Sequence, residues 1–200
     1  MFRNIIASHF RKPAGPLGMF TSNLMIKGNK NNYSNLIKNL NLQANDNLLE
    51  IGYGPGIGIH MICESCDSCT IHGVDFSRLM YKKASRYNKT YIDQKRVTLQ
   101  YGDFLNIPID QGKFDKVFCL NVIYFWNELE KPFSKILSDL REGGGFLIYM
   151  AAPEFLKEKK APDSIFNKHS IEHVTGILKL AGFSRVEYYS DKGYYIHATK

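Results

Sequence analysis

Apolar segments with two different periods alternate along the chain from residue 33 to residue 182. Segments with apolar residues at helical spacing, such as Leu36, Ile37 and Leu40, separate short runs that suit β-strands. Strands that alternate with helices predict an α/β fold with a right-handed, mostly parallel sheet covered on both faces. The strand candidates lie at residues 48–51, 70–75, 96–101, 114–120 and 146–150.

Two further strand candidates follow the last predicted helix, which extends from Ser170 to Ala181. Ser170 is a typical helix N-cap, and Gly182 is a typical residue after a helix end. Residues 184–189 and 194–198 are rich in tyrosine and β-branched residues, and the segment Asp191-Lys192-Gly193 lies between them. This pattern predicts a β-hairpin.

A loop with a glycine at every second position follows the first strand candidate, since residues 48–58 read LLEIGYGPGIG. Glycine lets the backbone approach a ligand closely and adopt positive φ at little cost. The dinucleotide fingerprint requires glycines at relative positions 1, 3 and 6, but the sixth position here is Ile57 or Ile59. No Lys-Ser or Lys-Thr follows the loop, so the nucleoside triphosphate P-loop is excluded as well.

The loop resembles the first motif of class I S-adenosylmethionine-dependent methyltransferases of the small-molecule type. Glu50 lies beside the turn. A carboxylate there suits a ligand with a sulfonium and an ammonium group, whereas it would repel the phosphates of a dinucleotide. The alternative is a glycine-rich turn that only connects a strand to a helix.

Acidic residues also follow the next two strand candidates. Asp75 lies 23 residues beyond Gly52, a spacing that places it for hydrogen bonds from ribose hydroxyls. Its alternative is a turn acid on a solvated loop. Ser77 is placed to cap the following helix, which has Met80 on its apolar face. By resemblance, Asp103 takes the adenine amino group.

The resemblance covers residues 33–200 and implies one S-adenosylmethionine-binding domain. Its fold is a single Rossmann-like doubly wound sheet, mostly parallel with an antiparallel C-terminal hairpin strand. The family contacts S-adenosyl-L-methionine, and its product S-adenosyl-L-homocysteine, from the glycine loop and the following strand ends. The implied cofactor-binding residues are Glu50, Gly52, Tyr53, Gly54, Gly56, Asp75, Phe76, Ser77, Met80, Gly102, Asp103, Phe104, Asn121 and Val122.

Substrate contacts are expected from the segment after the fourth strand, which resembles the loop that faces the transferred methyl group. Tyr124 and Trp126 are the candidates there, with ordinary core packing as the alternative. No catalytic residue is assigned. His60 and His72 fall on core elements, and His169 is a single loop histidine, which is weak evidence for a base.

Positive charge is concentrated near the N-terminus. Residues 1–45 contain six basic residues and no acid, whereas the other 155 residues carry 20 basic and 19 acidic side chains. We interpret residues 1–32 as a basic arm that covers the substrate, with Met19, Phe20 and Met25 as the contacts. Such an arm could also attract nucleic acid or anionic lipid, or only add solubility.

The arm resembles an organellar transit peptide in its arginines and lack of acids, although serines are sparse. The chain has no secretory apolar region and no apolar run of the ~20 residues that a membrane span needs. We therefore expect a cytoplasmic protein, with organellar import as the minority interpretation.

Three of the four cysteines form a C-x2-C-x2-C run at Cys63, Cys66 and Cys69. The run matches part of an iron–sulfur ligand set, but the fourth ligand is missing, and Cys119 falls inside a predicted strand. We therefore predict core or incidental thiols, no metal site, and a reducing compartment.

These observations predict methyl transfer to a small-molecule acceptor by in-line displacement. The segment Asn121-Val122-Ile123-Tyr124 lacks the Pro-Pro-aromatic and Pro-Cys signatures of related enzymes that methylate nucleic-acid bases. Two alternatives stay open: an RNA or protein methyltransferase recruited by the basic arm, and a non-catalytic S-adenosylmethionine-binding protein. A NAD-dependent oxidoreductase is disfavoured by Ile57 and Glu50.

Overall fold

The computed structural model describes residue 9, residues 11–109 and residues 112–200. The first eight residues of the basic arm, with Arg3, lie outside the described part. The helices are α1 (Gly15–Leu40), α2 (Ile57–Ser65), α3 (Arg78–Tyr87), α4 (Lys89–Asp93), α5 (Glu130–Asp139), α6 (Pro153–Glu158) and α7 (Ile171–Ala181). The strands are β1 (Asn47–Ile51), β2 (Thr70–Asp75), β3 (Val97–Tyr101), β4 (Phe114–Leu120), β5 (Leu140–Met150), β6 (Arg185–Ser190) and β7 (Tyr194–Thr199). A short 3-10 helix, Ile123–Phe125, follows β4.

The seven strands form one sheet in the order β3-β2-β1-β4-β5-β7-β6. The first five strands pair in parallel, and β7 lies antiparallel between β5 and β6. The predicted α/β fold and its antiparallel hairpin are confirmed. The chain reverses its direction of travel through the sheet between β1 and β4. A crevice forms there at the carboxyl ends of the strands, where ligands of open α/β sheets bind.

Apolar residues cover both faces of the central strands, which explains why β1 is buried throughout its apolar run. Leu49 packs on one face, in a core with residues of α5 and α7 such as Phe133 and Val174. Leu48 packs on the other face, in a core with residues of α1 and α2 such as Leu36 and Ile62. This two-sided packing fixes the strand ends, and thus the residues that follow them.

The N-terminal region differs from the expected arm in one respect. The segment with helical spacing at Leu36, Ile37 and Leu40 and the arm residues 15–32 belong to one helix, α1, which is 26 residues long. The boundary drawn after residue 32 therefore falls inside a continuous helix. Periodicity did not predict the continuity, because the middle of α1 carries Gly28 and a run of lysine and asparagine.

Cys66 and Cys69 form a disulfide with an S–S distance of 2.07 Å, whereas Cys63 and Cys119 are free and buried. The disulfide was not expected from the sequence, which suggested reduced thiols. No helix within the described ranges is long and apolar enough to cross a membrane. The described residues contain no group of three or more His, Cys, Asp or Glu side chains that could hold a metal ion.

Candidate cofactor-binding and active site

A cavity of about 670 Å³ lies at the carboxyl edge of the sheet. It is lined by residues that follow five parallel strands and by part of α1. The fold therefore brings together residues that lie far apart in the sequence. Of the predicted site residues, the lining contains Gly52, Gly54, Asp75, Phe76, Met80, Gly102, Asp103, Phe104, Asn121, Val122, Tyr124 and Trp126.

The glycine loop needs its glycines for backbone conformation and for space. Gly52, Gly54 and Gly56 have φ of 73°, 53° and 85°, a region that other residues adopt at a cost. A Cβ on Gly52 would lie 2.5 Å from Cγ2 of Val122. The loop backbone therefore passes close to the end of β4 with no room for a side chain.

Asp75 connects the glycine loop to the start of α3. Its Oδ2 accepts a 2.8 Å hydrogen bond from the backbone N–H of Gly54, and Oδ1 accepts one of 2.8 Å from Ser77. Burial raises the pKa of this carboxyl to about 6, although both hydrogen bonds act to lower it. Each oxygen keeps lone-pair capacity for a ligand hydroxyl, as the ribose role requires.

Glu50 lies behind the loop instead of lining the cavity. The side chain is fully buried, and its Oε1 accepts a 2.7 Å hydrogen bond from the hydroxyl of Tyr33. Burial raises the pKa of this carboxyl to about 8. The group is therefore mostly protonated at neutral pH, so the charge attraction expected from the sequence is weak.

Five other predicted contacts also lie outside the lining, namely Tyr53, Gly56, Ser77, Phe20 and Met19. Tyr53 is buried and donates its hydroxyl to the Gln100 carbonyl at 3.2 Å. Gly56 caps α2. The Ser77 hydroxyl accepts from the Met80 N–H at 3.3 Å and donates to the Pro13 carbonyl at 2.8 Å. Phe20 lies on α1 with 60% of its surface exposed.

The segment after β4 is held by a chain of hydrogen bonds. Asn121 has a left-handed backbone with φ of 59°, and its Nδ2 donates to Oδ1 of Asn29 on α1 at 3.1 Å. The Tyr124 hydroxyl donates to Oδ1 of Asn121 at 2.9 Å and accepts from the backbone N–H of Ala151. Burial raises the pKa of Tyr124 well above its ordinary value. Tyr124 thus belongs to the cavity lining, and its hydroxyl positions Asn121.

Helix α1 crosses the cavity. From this helix the side chain of Met25 reaches the glycine loop. Its Cε lies 3.7 Å from the position that a Cβ on Gly54 would take. Of the three predicted cover residues, Met25 lines the cavity, whereas Met19 and Phe20 do not and are exposed. The spacing of Met25, Asn29 and Tyr33 at i, i+4 and i+8 could have indicated the inward face of one helix.

A group of lining residues that the sequence did not predict follows β5. Helix α6 and the loop after it contribute seven residues to the lining: Phe155, Leu156, Lys159, Lys160, Ala161, Pro162 and Phe166. No motif marks these residues, because their role depends only on where α6 packs. His169 lies outside the lining, and burial lowers its pKa. The titratable residues of the described lining are Arg11, Asp75, Asp103, Tyr124, Lys159 and Lys160.

The sheet order, the glycine loop and the acid at the end of β2 define a class I S-adenosylmethionine-binding fold. A family model described as a methyltransferase domain matches residues 48–144. The chain has the fold of the class I S-adenosylmethionine-dependent methyltransferases, and its residues 48–144 match their methyltransferase domain.

The chain is similar in sequence to two methyltransferases and in structure to a third. The chain is 31% identical over 118 residues to the uncharacterized methyltransferase YdaC of Bacillus subtilis, covering 59% of this chain and 63% of that protein. It is 26% identical over 139 residues to the Saccharomyces cerevisiae sterol 24-C-methyltransferase ERG6. The match covers 70% of this chain and 36% of that protein. The chain also matches a structure of Haemonchus contortus phosphoethanolamine N-methyltransferase 2 in complex with phosphomonomethylethanolamine and S-adenosylhomocysteine. The TM-score is 0.70 and the identity 27%, and the match covers 80% of this chain and 38% of that chain. In each case the match spans less than two thirds of the relative.

Proposed function

We propose that this chain transfers the methyl group of S-adenosylmethionine to a small-molecule acceptor. One observation carries this proposal: a single cavity joins the predicted cofactor residues after β1, β2 and β3 to an aromatic compartment after β4 and β5. A cofactor held at the first group presents its sulfonium toward the second. The relatives named as sterol and phosphoethanolamine methyltransferases act on small molecules, which supports the same class of acceptor here.

In this proposal, each part of the cofactor has its own set of contacts. The Asp75 carboxylate accepts from the ribose hydroxyls, and the glycine-loop backbone lies against the methionine portion. Asp103 and Phe104 take the adenine. Asp103 is partly engaged already, since it accepts from the Leu105 N–H at 3.0 Å and from Asn106 Nδ2 at 3.2 Å.

The chemical step is an in-line displacement at the methyl carbon. The carbon–sulfur bond breaks with its electron pair going to sulfur, and a lone pair of the acceptor forms the new bond. The chain contributes alignment and exclusion of water, which together supply much of the acceleration of such reactions. Tyr124 is not a candidate base, because its hydroxyl is buried and both accepts and donates a hydrogen bond.

Nothing in the described structure favours the RNA or protein alternative. Of the basic arm, Lys12 lies with Nζ 5.7 Å from the centroid of the Phe76 ring, and Arg11 lines the cavity. These two exposed cations therefore lie at the cofactor end of the site.

Two measurements test the proposal. Isothermal titration of S-adenosylmethionine, S-adenosylhomocysteine and NAD should show binding of the first two only. Transfer of a labelled methyl group should then mark a component of a metabolite pool. Binding of NAD alone, or label found only in RNA or protein, would overturn it, and cofactor binding with no transfer would favour the non-catalytic alternative.

A further inference from the structure

The acceptor part of the cavity is apolar apart from one edge. Its lining is aromatic and aliphatic, and the charged residues in it are the two residues that follow α6. These are Lys159 and Lys160, whereas the apolar lining of the same part comprises Phe125, Trp126, Phe155, Leu156, Ala161, Pro162 and Phe166.

No carboxylate from this part of the described lining balances the two lysines. The lining carboxylates are Asp75 and Asp103, which follow β2 and β3 at the cofactor end. The acids close to the lysines in sequence, Glu154, Glu158 and Asp163, are exposed and lie outside the lining. Asp163 already pairs with Lys168. The described lining of the acceptor part therefore carries two cations and no carboxylate.

The two lysines lie at the rim, where water and ligand meet. The Lys159 side chain is 60% exposed, and its Nζ lies 3.3 Å from Oε1 of the exposed Glu158 and 5.3 Å from the centroid of the Phe155 ring. An exposed ion pair of this kind contributes little, so an incoming anion can replace it. Lys160 follows the helix with a left-handed φ of 53°, and its ammonium makes no ion pair with a described residue.

An apolar compartment with cations at its rim is complementary to an amphiphilic anion. We propose that the methyl acceptor has an apolar or aromatic body, which occupies the aromatic compartment, and a carboxylate or phosphate, which pairs with Lys159 and Lys160. Burial of the body supplies most of the affinity, and the charge pair selects anions over neutral and cationic analogues. This inference rests on the proposed function, because it assigns the acceptor of that same site.

The chain carries a convenient reporter, because Trp126 is its single tryptophan and lines this compartment. The full chain saturated with S-adenosylhomocysteine is titrated with dodecanoate, dodecyl phosphate, dodecanol and dodecylamine, each below its micellar concentration, while tryptophan fluorescence is followed. We expect at least one of the two anions to bind about tenfold more tightly than the alcohol, as two partly exposed charge-assisted contacts allow. The amine should bind more weakly than the alcohol.

The double variant Lys159→Gln with Lys160→Gln should lose the preference for anions while keeping the affinity for dodecanol. Lys157→Gln is the matched control, because Lys157 lies in the last turn of the preceding helix α6, is exposed and does not line the cavity. It should behave as the native chain. Equal affinity for the anions and the alcohol, or an anion preference that survives the double variant, would overturn the inference.

Titration of S-adenosylhomocysteine itself separates this inference from the proposed function. If the native chain fails to bind it, the proposed function fails. If all variants bind it equally and the anions show no preference, only the assignment of the acceptor fails. The comparison of dodecanoate with dodecyl phosphate then distinguishes a carboxylate from a phosphate acceptor.

Discussion

The hydroxyl of Tyr33 on α1 donates a 2.7 Å hydrogen bond to Oε1 of Glu50 at the carboxyl end of β1. Both side chains are buried, and Oε2 of Glu50 has no partner among the described residues. This contact joins the helix that covers the cavity to the strand that carries the glycine loop. Burial makes the ionisation of Glu50 oppose folding, although the hydrogen bond from Tyr33 acts to lower its pKa.

The first prediction concerns Glu50→Gln and pH. Burial raises the pKa of Glu50 from 4.5 to about 8, so its contribution to stability is present below the lower value and is lost as the pH rises through the higher one. Each pH unit in that window costs up to about 1.4 kcal/mol. The variant stays neutral and still accepts from Tyr33, so its unfolding free energy should fall less between about pH 5 and about pH 8. Urea unfolding measures this, with the exposed Glu128→Gln as the control. An unchanged pH dependence in Glu50→Gln would contradict the prediction.

The second prediction concerns Gly58→Ala. A Cβ on Gly58 would lie 2.4 Å from Cε1 of Tyr33 and 2.8 Å from Oε1 of Glu50. The substitution should therefore destabilise the chain by about 1–3 kcal/mol, through displacement of this buried pair. Gly176→Ala in α7 is the matched control, since its Cβ meets no atom within 4 Å. There alanine should stabilise the helix by about 0.5–1 kcal/mol, and equal effects at both positions would count against the packing described.

The third prediction concerns Asp75 and the cofactor. If the ionised carboxylate accepts from two ribose hydroxyls, Asp75→Asn should weaken the binding of S-adenosylhomocysteine by about tenfold or more. Because the pKa of Asp75 is about 6, the native affinity should also fall as the pH drops through that value. Isothermal titration from about pH 5 to about pH 8 checks both effects. The exposed Asp93→Asn should match the native chain, and a native affinity that rises at low pH would be inconsistent with the assigned role.

The fourth prediction concerns Tyr124→Phe. Loss of the hydroxyl leaves the Ala151 N–H and Asn121 Oδ1 without their partner, which should cost about 1–3 kcal/mol of stability. The rate of methyl transfer should fall because Asn121 is less well positioned, while the pH profile keeps its shape. The exposed Tyr188→Phe serves as control. A variant that loses one limb of the pH profile would show instead that Tyr124 acts as a base.

The fifth prediction separates two positions on α1. Met25→Ala should lower the affinity for S-adenosylhomocysteine several-fold, because Met25 lines the cavity beside Gly54. Phe20→Ala should leave it unchanged, since Phe20 lies outside the lining and is exposed. Both are apolar residues on one helix, so the pair controls for a general loss of helix stability. Equal losses would mean that α1 covers the site differently.

Much of the fold could be predicted because its signals are local. The residues of β4 agree with the predicted strand, and Ser170 and Gly182 bound the last helix as expected. The predicted fifth strand began too late, at residue 146, whereas β5 begins at Leu140 and passes through the three glycines. β5 pairs with β4 at Leu140 and again from Gly145 onward, with a register shift between them, and that pairing is not visible in the local sequence.

For the site, the sequence by itself determined the glycine loop and the acids after β2 and β3, because backbone conformation and strand ends depend on neighbouring residues. Only the tertiary structure decided which of these residues face the cavity: it placed Asp75 in the lining and Glu50 behind the loop. It also brought in Asn29 and Lys159, which no motif marks. Contacts between distant elements depend on how helices pack on the sheet, and that packing is a property of the whole chain.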